Sequence, residues 1–257
     1  MGKLKKINNL TTLIIAAGVG KRMGKVGKDT PKCLLKLNNF TVIERILNQL
    51  KSLGIKENIY MIIGYKSEMI INYLKKKNFN IKFIKIDNYR KGHSYTFYYF
   101  KRFWNKISSK SLIFLHADIV FDRKFLKNII YSKKKNLIGI KKSNYERLKS
   151  NVFHVRLDQD CVVKEINLKK NLKNKRVYGE IIGINKFSRE LLNKIFIYMQ
   201  KRFKIKKNQN LSWEILINSF IQLNKNHLFA LKKQNFKWIN INRIKDYKIA
   251  KNMVKNI

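Results

Sequence analysis

Apolar and polar positions change period several times along this chain, and each change marks an element. Residues 12–15 are apolar and β-branched and run into the small residues Ala16, Ala17, Gly18 and Gly20, the pattern of a buried strand that ends in a tight turn. A short strand is expected at residues 33–37. Residues 41–53 then place Val42, Ile43, Ile46, Leu47, Leu50 and Leu53 at helical spacing, with Gly54 as the stop. A second strand at residues 58–63 closes on Gly64-Tyr65-Lys66, a helix follows over residues 67–76, and a third strand covers residues 81–86. Strand and helix in alternation predict a parallel sheet covered on both faces, with ligands at the carboxyl ends of its strands.

The second half is less regular. Residues 94–106 read as a helix carrying Tyr95, Phe97, Tyr98, Tyr99, Phe100, Phe103 and Trp104 on every side, the mark of a buried helix, and its first residues His93, Ser94 and Tyr95 are candidate substrate contacts. Residues 112–115 form a buried strand running into His116-Ala117-Asp118. A carboxylate at such a strand end is costly to bury alone, and a hard cation is a natural partner. A helix at residues 123–132 and a strand at 137–141 come next. Two strands at 152–157 and 161–167, turning at Asp158-Gln159-Asp160, predict a small antiparallel insert at the sheet edge. Beyond a basic loop at 169–175 come a strand at 178–184, helices at 188–202 and 212–223, strands at 228–231 and 238–241, and a helix at 243–254. No linker or repeat interrupts residues 1–257, which read as one α/β domain with a mixed, mostly parallel sheet.

Composition modifies this picture only slightly. The formal net charge of +43 would suit nucleic acid or an anionic membrane. The lysines are dispersed, however, and Lys, Asn, Ile, Tyr and Phe are abundant together, as an AT-rich genome dictates, so a nucleic-acid partner is not expected. Cys33 and Cys161 have neither disulfide-framework nor metal spacing. Lys3-Leu4-Lys5-Lys6 and the apolar run after it imitate a signal peptide, but Gly18 and Gly20 interrupt the run and Lys21-Arg22 follow it. No stretch reaches the roughly 18 apolar residues of a membrane span. The expectation is a cytoplasmic protein.

The chemistry concentrates in the turn after the first strand. Backbone N–H groups bare of large side chains form an anion nest, and Lys21 and Arg22 add charge beside it, which points to a nucleoside triphosphate. A Walker A loop is excluded by the glycine gap and by the lack of a hydroxyl after the lysine. A dinucleotide fingerprint is disfavoured because the third glycine falls one place late and Glu44 lies inside a helical pattern. Ile14-Ile15-Ala16-Ala17-Gly18-Val19-Gly20-Lys21-Arg22-Met23, followed by Thr30-Pro31-Lys32, instead resembles the signature of nucleotidyltransferases that make sugar nucleotides and CDP-alcohols. With Gly64-Tyr65-Lys66, Asp118 and the segment from Trp238 to Asp246, the whole chain resembles the small nucleotidyltransferases of the CTP:phosphocholine cytidylyltransferase and sugar-phosphate nucleotidyltransferase type.

That resemblance implies a Rossmann-like fold of the nucleotide-diphospho-sugar transferase type. It also implies a reaction joining a nucleoside triphosphate, CTP favoured, to a small phosphate or phosphonate with release of pyrophosphate. It places Ala16, Ala17, Gly18, Gly20, Lys21, Arg22 and Gly64 at the nucleotide, Arg22 on the departing pyrophosphate, and Lys32 along the triphosphate and the attacking phosphate. Asp118 becomes a ligand of catalytic Mg2+, and Glu180 and Glu214 face the acceptor. One departure stands out. The resembled motif W-x-[DE]-[IV]-D ends in a second metal ligand, where this chain has Asn242, with Asn240 two places before it; an amide oxygen brings no charge, so metal binding should weaken. Three readings follow: an active enzyme acting on phosphocholine, an aminoalkyl phosphonate or glycerol phosphate for cell-surface decoration; a sugar-1-phosphate nucleotidyltransferase; and a weakly catalytic nucleotide- or nucleic-acid-binding relative.

Overall fold

A computed structural model describes residues 9–142, 152–168, 179–224, 228–233 and 235–256. The basic segment before residue 9, the basic loop at 169–175 and Tyr178 lie outside these residues. The chain opens with β1 (Leu10–Ala16), continues through the short α1 (Gly24–Asp29), the β2–β3 hairpin (Lys36–Leu37 and Phe40–Thr41) and α2 (Val42–Ser52), and enters β4 (Ile59–Ile63). Then come α3 (Ser67–Lys76), β5 (Lys82–Lys85), α4 (His93–Tyr99), α5 (Lys101–Trp104), β6 (Ser111–His116), β7 (Ile119–Phe121), α6 (Arg123–Tyr131) and β8 (Leu137–Lys141). The remainder is β9 (Phe153–Leu157), β10 (Val163–Leu168), β11 (Gly179–Ser188), α7 (Arg189–Phe203), α8 (Trp213–Leu223), β12 (Phe229–Lys233), β13 (Trp238–Asn240) and α9 (Ile244–Met253).

Among the described residues nine strands form one mixed sheet in the order β10-β9-β11-β6-β1-β4-β5, with β8 also on β11 and β12 on β8. The run β6-β1-β4-β5 is parallel, and β11 turns antiparallel to β6, β8 and β9. The predicted hairpin at the edge is β9–β10. Helices cover both faces because the parallel strands are apolar on both: in β1, Leu13 and Ile14 are each fully buried, yet they join cores on opposite sides of the sheet. In β6, Leu112 and Phe114 serve one core while Ile113 and Leu115 serve the other.

Two predicted elements differ. Residues 33–37 are not one strand: Lys32–Leu34 is a 3-10 turn held by Leu34 N–H donating to the Pro31 carbonyl at 2.8 Å, and only Lys36–Leu37 pairs, with Phe40–Thr41. Pro31 sets the bend, and Asn38 at φ 57 closes the hairpin. The aromatic helix is likewise two helices meeting at Phe100. Phe97, Phe100 and Trp104 are fully buried, Phe97 lying 4.7 Å from Phe114 and 5.4 Å from Phe196 between ring centroids, so these rings are core and form no cage for a ligand.

Glu44 also finds its explanation here. Thr41 caps α2 in a capping box, and the Glu44 carboxylate accepts from Thr41 N at 2.7 Å, Thr41 Oγ1 at 3.0 Å and Tyr73 Oη at 2.8 Å. Burial pushes this carboxyl up, but the hydrogen bonds from Thr41 and Tyr73 and the nearby Lys77 outweigh it and hold the pKa below its ordinary value. Glu44→Gln should destabilise the fold by about 1–3 kcal/mol, since a buried charged acceptor with several donors is replaced by a neutral one; urea unfolding midpoints at pH 7 would measure it.

Candidate active site

The site begins with a backbone constraint. Gly20 sits at φ 69, a conformation that favours glycine, and its carbonyl accepts from Met23 N–H at 2.9 Å, which folds Lys21–Met23 back into a 3-10 turn. A Cβ on Gly20 would lie 3.2 Å from Lys32 Cγ, whereas one on Gly18 would meet nothing within 4 Å. The loop is therefore pressed against Lys32 on one side and open at Gly18. The turn after β4 braces it: Tyr65 N–H donates to the Ala17 carbonyl at 3.3 Å, Tyr65 Oη to the Lys28 carbonyl at 2.9 Å and Lys66 Nζ to the Asp29 carbonyl at 2.9 Å. Gly64 has a packing reason instead of a ligand-facing one, since a Cβ there would fall 2.6 Å from Tyr89 Cβ.

Four side chains from distant parts of the chain meet beside this loop. Lys32 Nζ ion-pairs with Asp118 Oδ2 and donates to the Ile241 carbonyl at 3.2 Å, although Lys32 and Ile241 are 209 residues apart. Arg22 Nη2 donates to Asn242 Oδ1 at 2.8 Å. The connection is made by backbone: β13 pairs antiparallel with β7, and Ile241 N–H donates to the Asp118 carbonyl at 2.8 Å. Asp246 faces a different task, accepting from Asn242 N–H at 3.0 Å and Arg243 N–H at 2.8 Å at the start of α9. The Lys32 and Asp118 side chains, 15% and 19% exposed, line a cavity of about 50 Å³ with Ile15, Ala16, Gly18 and His116.

Electrostatics follow from that depth. Burial pushes the Asp118 carboxyl up, but the charge of Lys32 and its hydrogen bond, joined by the two nearby imidazoles once these are protonated in acid, outweigh it, and its pKa lies below the ordinary carboxylate value. His116 is driven down to about 4, first by burial and then by His93, so it is neutral at pH 7. Burial and Asp118 push the Cys33 thiol up to about 12, which leaves it unreactive.

The remaining expected residues fall elsewhere. His93 lines the cavity, but Ser94 is fully buried and gives its hydroxyl to the Leu211 carbonyl at 2.5 Å, and the Tyr95 ring packs on Tyr99 and Phe203. Both carry the fold at α4, because the helix turns these positions inward. Glu180 lies on β11 between Lys141 and His154 of the neighbouring strands and does not line the cavity. Glu214 is buried in the first turn of α8 beside Trp213, whose ring stands 5.4 Å from Phe114 and 6.4 Å from His116. His116 and Cys33 also line the cavity, and no sequence motif marks either of them. A signal for His116 exists: Gly183, at φ 76 inside a strand, leaves the space its imidazole occupies, since a Cβ there would lie 2.9 Å from His116 Cγ.

A divalent cation suits part of this set. Mg2+ binds proteins through one or two carboxylates and leaves its other positions to water and phosphate. Asp118 is a deeply set carboxylate whose partner in this structure, the Lys32 ammonium, is itself a cation on a flexible stem, and the Asn242 amide oxygen accepts from Arg22. One charged and one neutral oxygen ligand fit a weakly held ion. No group of three or more His, Cys, Asp or Glu able to cage a metal occurs among the described residues.

A mixed, mostly parallel sheet flanked by helices, with a glycine turn at the carboxyl end of its first strand beside two cations and a strand-end carboxylate, is the frame of a nucleotidyltransferase. The chain belongs to the family of the MobA-like NTP transferase domain, which matches residues 12–158. CTP:phosphoglutamine cytidylyltransferase of Campylobacter jejuni subsp. jejuni serotype O:2 (strain ATCC 700819 / NCTC 11168) is 30% identical over 83% of this chain and 87% of its own. Choline-phosphate cytidylyltransferase of Haemophilus influenzae (strain ATCC 51907 / DSM 11121 / KW20 / Rd) is 29% identical over 75% and 88%. The solved structure of CTP:phosphocholine cytidylyltransferase from Streptococcus pneumoniae superposes with a TM-score of 0.78 over 96% of this chain and 99% of that one, at 19% identity. Among the described residues no helix is long and apolar enough to cross a membrane.

Glu214 supplies a test of the site's surroundings. Burial pushes its carboxyl up to about 7, against partial relief from its own backbone N–H and the Ser212 hydroxyl. An acid whose folded pKa exceeds its unfolded one favours folding fully below the unfolded value of about 4.5 and loses that contribution as pH rises through about 7. Relative to wild type, Glu214→Gln should therefore gain stability between pH 5 and pH 8, by an amount of order 3 kcal/mol. Urea unfolding of both proteins at the two pH values checks this; a difference independent of pH would mean that Glu214 is ionised in the folded protein.

Proposed function

We propose that this protein is a Mg2+-assisted cytidylyltransferase that joins CTP to a small phosphorylated or phosphonate acceptor and releases pyrophosphate. The observation that carries the reading is the convergence of Arg22, Lys32, Asp118 and Asn242 beside the Gly18–Gly20 turn. The two cytidylyltransferase relatives support CTP and an acceptor carrying a phosphate on a small polar or cationic body. An acceptor phosphate is already ionised at neutral pH, so the chemistry calls for charge neutralisation and alignment, not for a general base. This accounts for a site built of glycines, cations and one carboxylate.

The resting contacts indicate how the groups act. Lys32 is paired with Asp118 and tethered to the Ile241 carbonyl, so triphosphate entering at Gly18 offers it a competing anion that it reaches by rotating its own stem. Arg22, released from a neutral amide, turns to the β- and γ-phosphates and stabilises the pyrophosphate as it departs. Neutral His116 keeps the wall behind Asp118 from adding a further positive charge. Asp118 and Asn242 would hold Mg2+, whose chemistry is to offset the negative charge that gathers on the transferring phosphate oxygens.

Arg22→Ala and Lys32→Ala should each lower kcat/KM by about 10²-fold or more while leaving the fold intact, because each removes a preorganised cation from the phosphates. A pyrophosphate-release assay with CTP, UTP, ATP and GTP against phosphocholine, aminoethylphosphonate, glycerol phosphate and a sugar 1-phosphate measures this and identifies the acceptor; release with a sugar 1-phosphate alone would favour the sugar-nucleotide reading.

Asn242 favours a second reading, a relative that holds nucleotide with little turnover. If it lies at the metal, Asn242→Asp should lower the magnesium concentration for half-maximal rate and tighten Mn2+ binding followed by paramagnetic resonance, and Asp118→Asn should abolish both. Unchanged metal binding in Asp118→Asn would remove the metal from the mechanism.

A further inference from the structure

A second cavity lies at the other end of the parallel strands. It occupies about 280 Å³ between α2, α3 and the amino ends of β4 and β5, away from the Gly18 loop. Its apolar lining is Leu47, Ile55, Ile59, Phe79 and Ile81, the first three buried and the last two half-buried. Around these stand three exposed lysines, Lys51, Lys56 and Lys77, and no carboxylate lines the cavity. Lys77 is shared with Glu44 at 3.5 Å, whereas Lys51 and Lys56 make no ion pair among the described residues.

Three lysines set the charge on the rim of this cavity. The carboxyl ends of α2 and α3 each contribute about half a negative charge, which screens part of the lysine field. Lys51, in the last turn of α2, offsets one helix end and Lys77, capping α3, offsets the other, and Glu44 draws on Lys77. Lys56 belongs to no helix and stands beside Ile55 and Ile59 without an ion pair among the described residues, with Glu57 next to it in the chain. An apolar floor edged by Asn48, Asn78, Asn80 and the lysines suits a ligand with an apolar body and one anionic head. At about 280 Å³ the cleft is at the small end of ligand pockets and admits a single ring or a short branched chain.

We propose that this cleft binds a small amphipathic anion, an apolar ring or short chain bearing a phosphate or carboxylate, at a site separate from the nucleotide pocket. The body lies against Leu47, Ile59 and Phe79 and the head meets Lys51 and Lys56. The inference is independent of the reaction proposed above.

The experiment follows isoleucine methyl resonances of the full chain while phenyl phosphate, phenylacetate, benzyl alcohol and inorganic phosphate are titrated, with and without saturating CTP. Phenyl phosphate or phenylacetate should shift Ile55, Ile59 and Ile81 with CTP present, and benzyl alcohol and inorganic phosphate should do so at least about tenfold more weakly. The two anionic probes distinguish a phosphate from a carboxylate head. Replacing both lysines, Lys51→Ala with Lys56→Ala, should weaken the anionic probe about tenfold, and Asn48→Trp, which fills the cleft from exposed α2, should abolish the shifts. Equal binding of benzyl alcohol and phenyl phosphate, shifts confined to Ile15 in the nucleotide pocket, or shifts that survive Asn48→Trp would each overturn the proposal.

Discussion

One backbone hydrogen bond, from Ile241 N–H to the Asp118 carbonyl, holds the site together. It extends the ribbon of β7 and β13, and that ribbon is anchored by Trp238, which is buried and donates Nε1–H to the Ile182 carbonyl at 3.1 Å. Backbone pairing fixes Ile241 and Asn242 beside a strand end that the chain reached more than a hundred residues earlier. Lys32 and Arg22 then have acceptors within reach of their flexible stems, and the Gly20 turn, pressed against Lys32, has a fixed wall. Loss of the ribbon would leave a carboxylate at the bottom of a cleft with only a lysine to hold.

The resting site is neutralised from within. Lys32 satisfies Asp118, and Arg22 satisfies an amide in place of a carboxylate. The first pair is the stronger, since both members are charged and poorly solvated, and the second costs less to break. An incoming triphosphate therefore finds Arg22 readily available and must compete for Lys32. Asn242, an amide, holds Arg22 by a neutral hydrogen bond and not by an ion pair.

Many of the lysines behind the +43 charge have structural work that does not involve a polyanion. Lys186 on β11 donates to the Ile130 and Ser132 carbonyls at 3.1 and 2.9 Å and so caps the end of α6, and Lys66 ties down α1. Others lie along aromatic faces, as Lys91 does at 4.8 Å from the Tyr95 ring centroid. A chain so rich in lysine uses its long stem wherever a carbonyl or ring needs a partner.

What the sequence determined by itself is local and periodic. The alternation of strand and helix through β5, the bounds of α3, the β9–β10 hairpin and the Gly18–Gly20 turn all follow from spacing within a few residues, because periodicity and turn chemistry are encoded at that range. The nearness of Pro31-Lys32 to the turn was legible for the same reason. Tertiary structure decided what depended on pairing across the chain: that Asn242 meets Arg22, that Ile241 tethers Lys32, that Ser94 is consumed by Leu211 and that Glu180 stands apart from the cavity. It also divided one aromatic helix into two and chose the partners of its buried rings, with Phe97 packing on Phe114 and Phe196, although the burial itself was legible in the pattern.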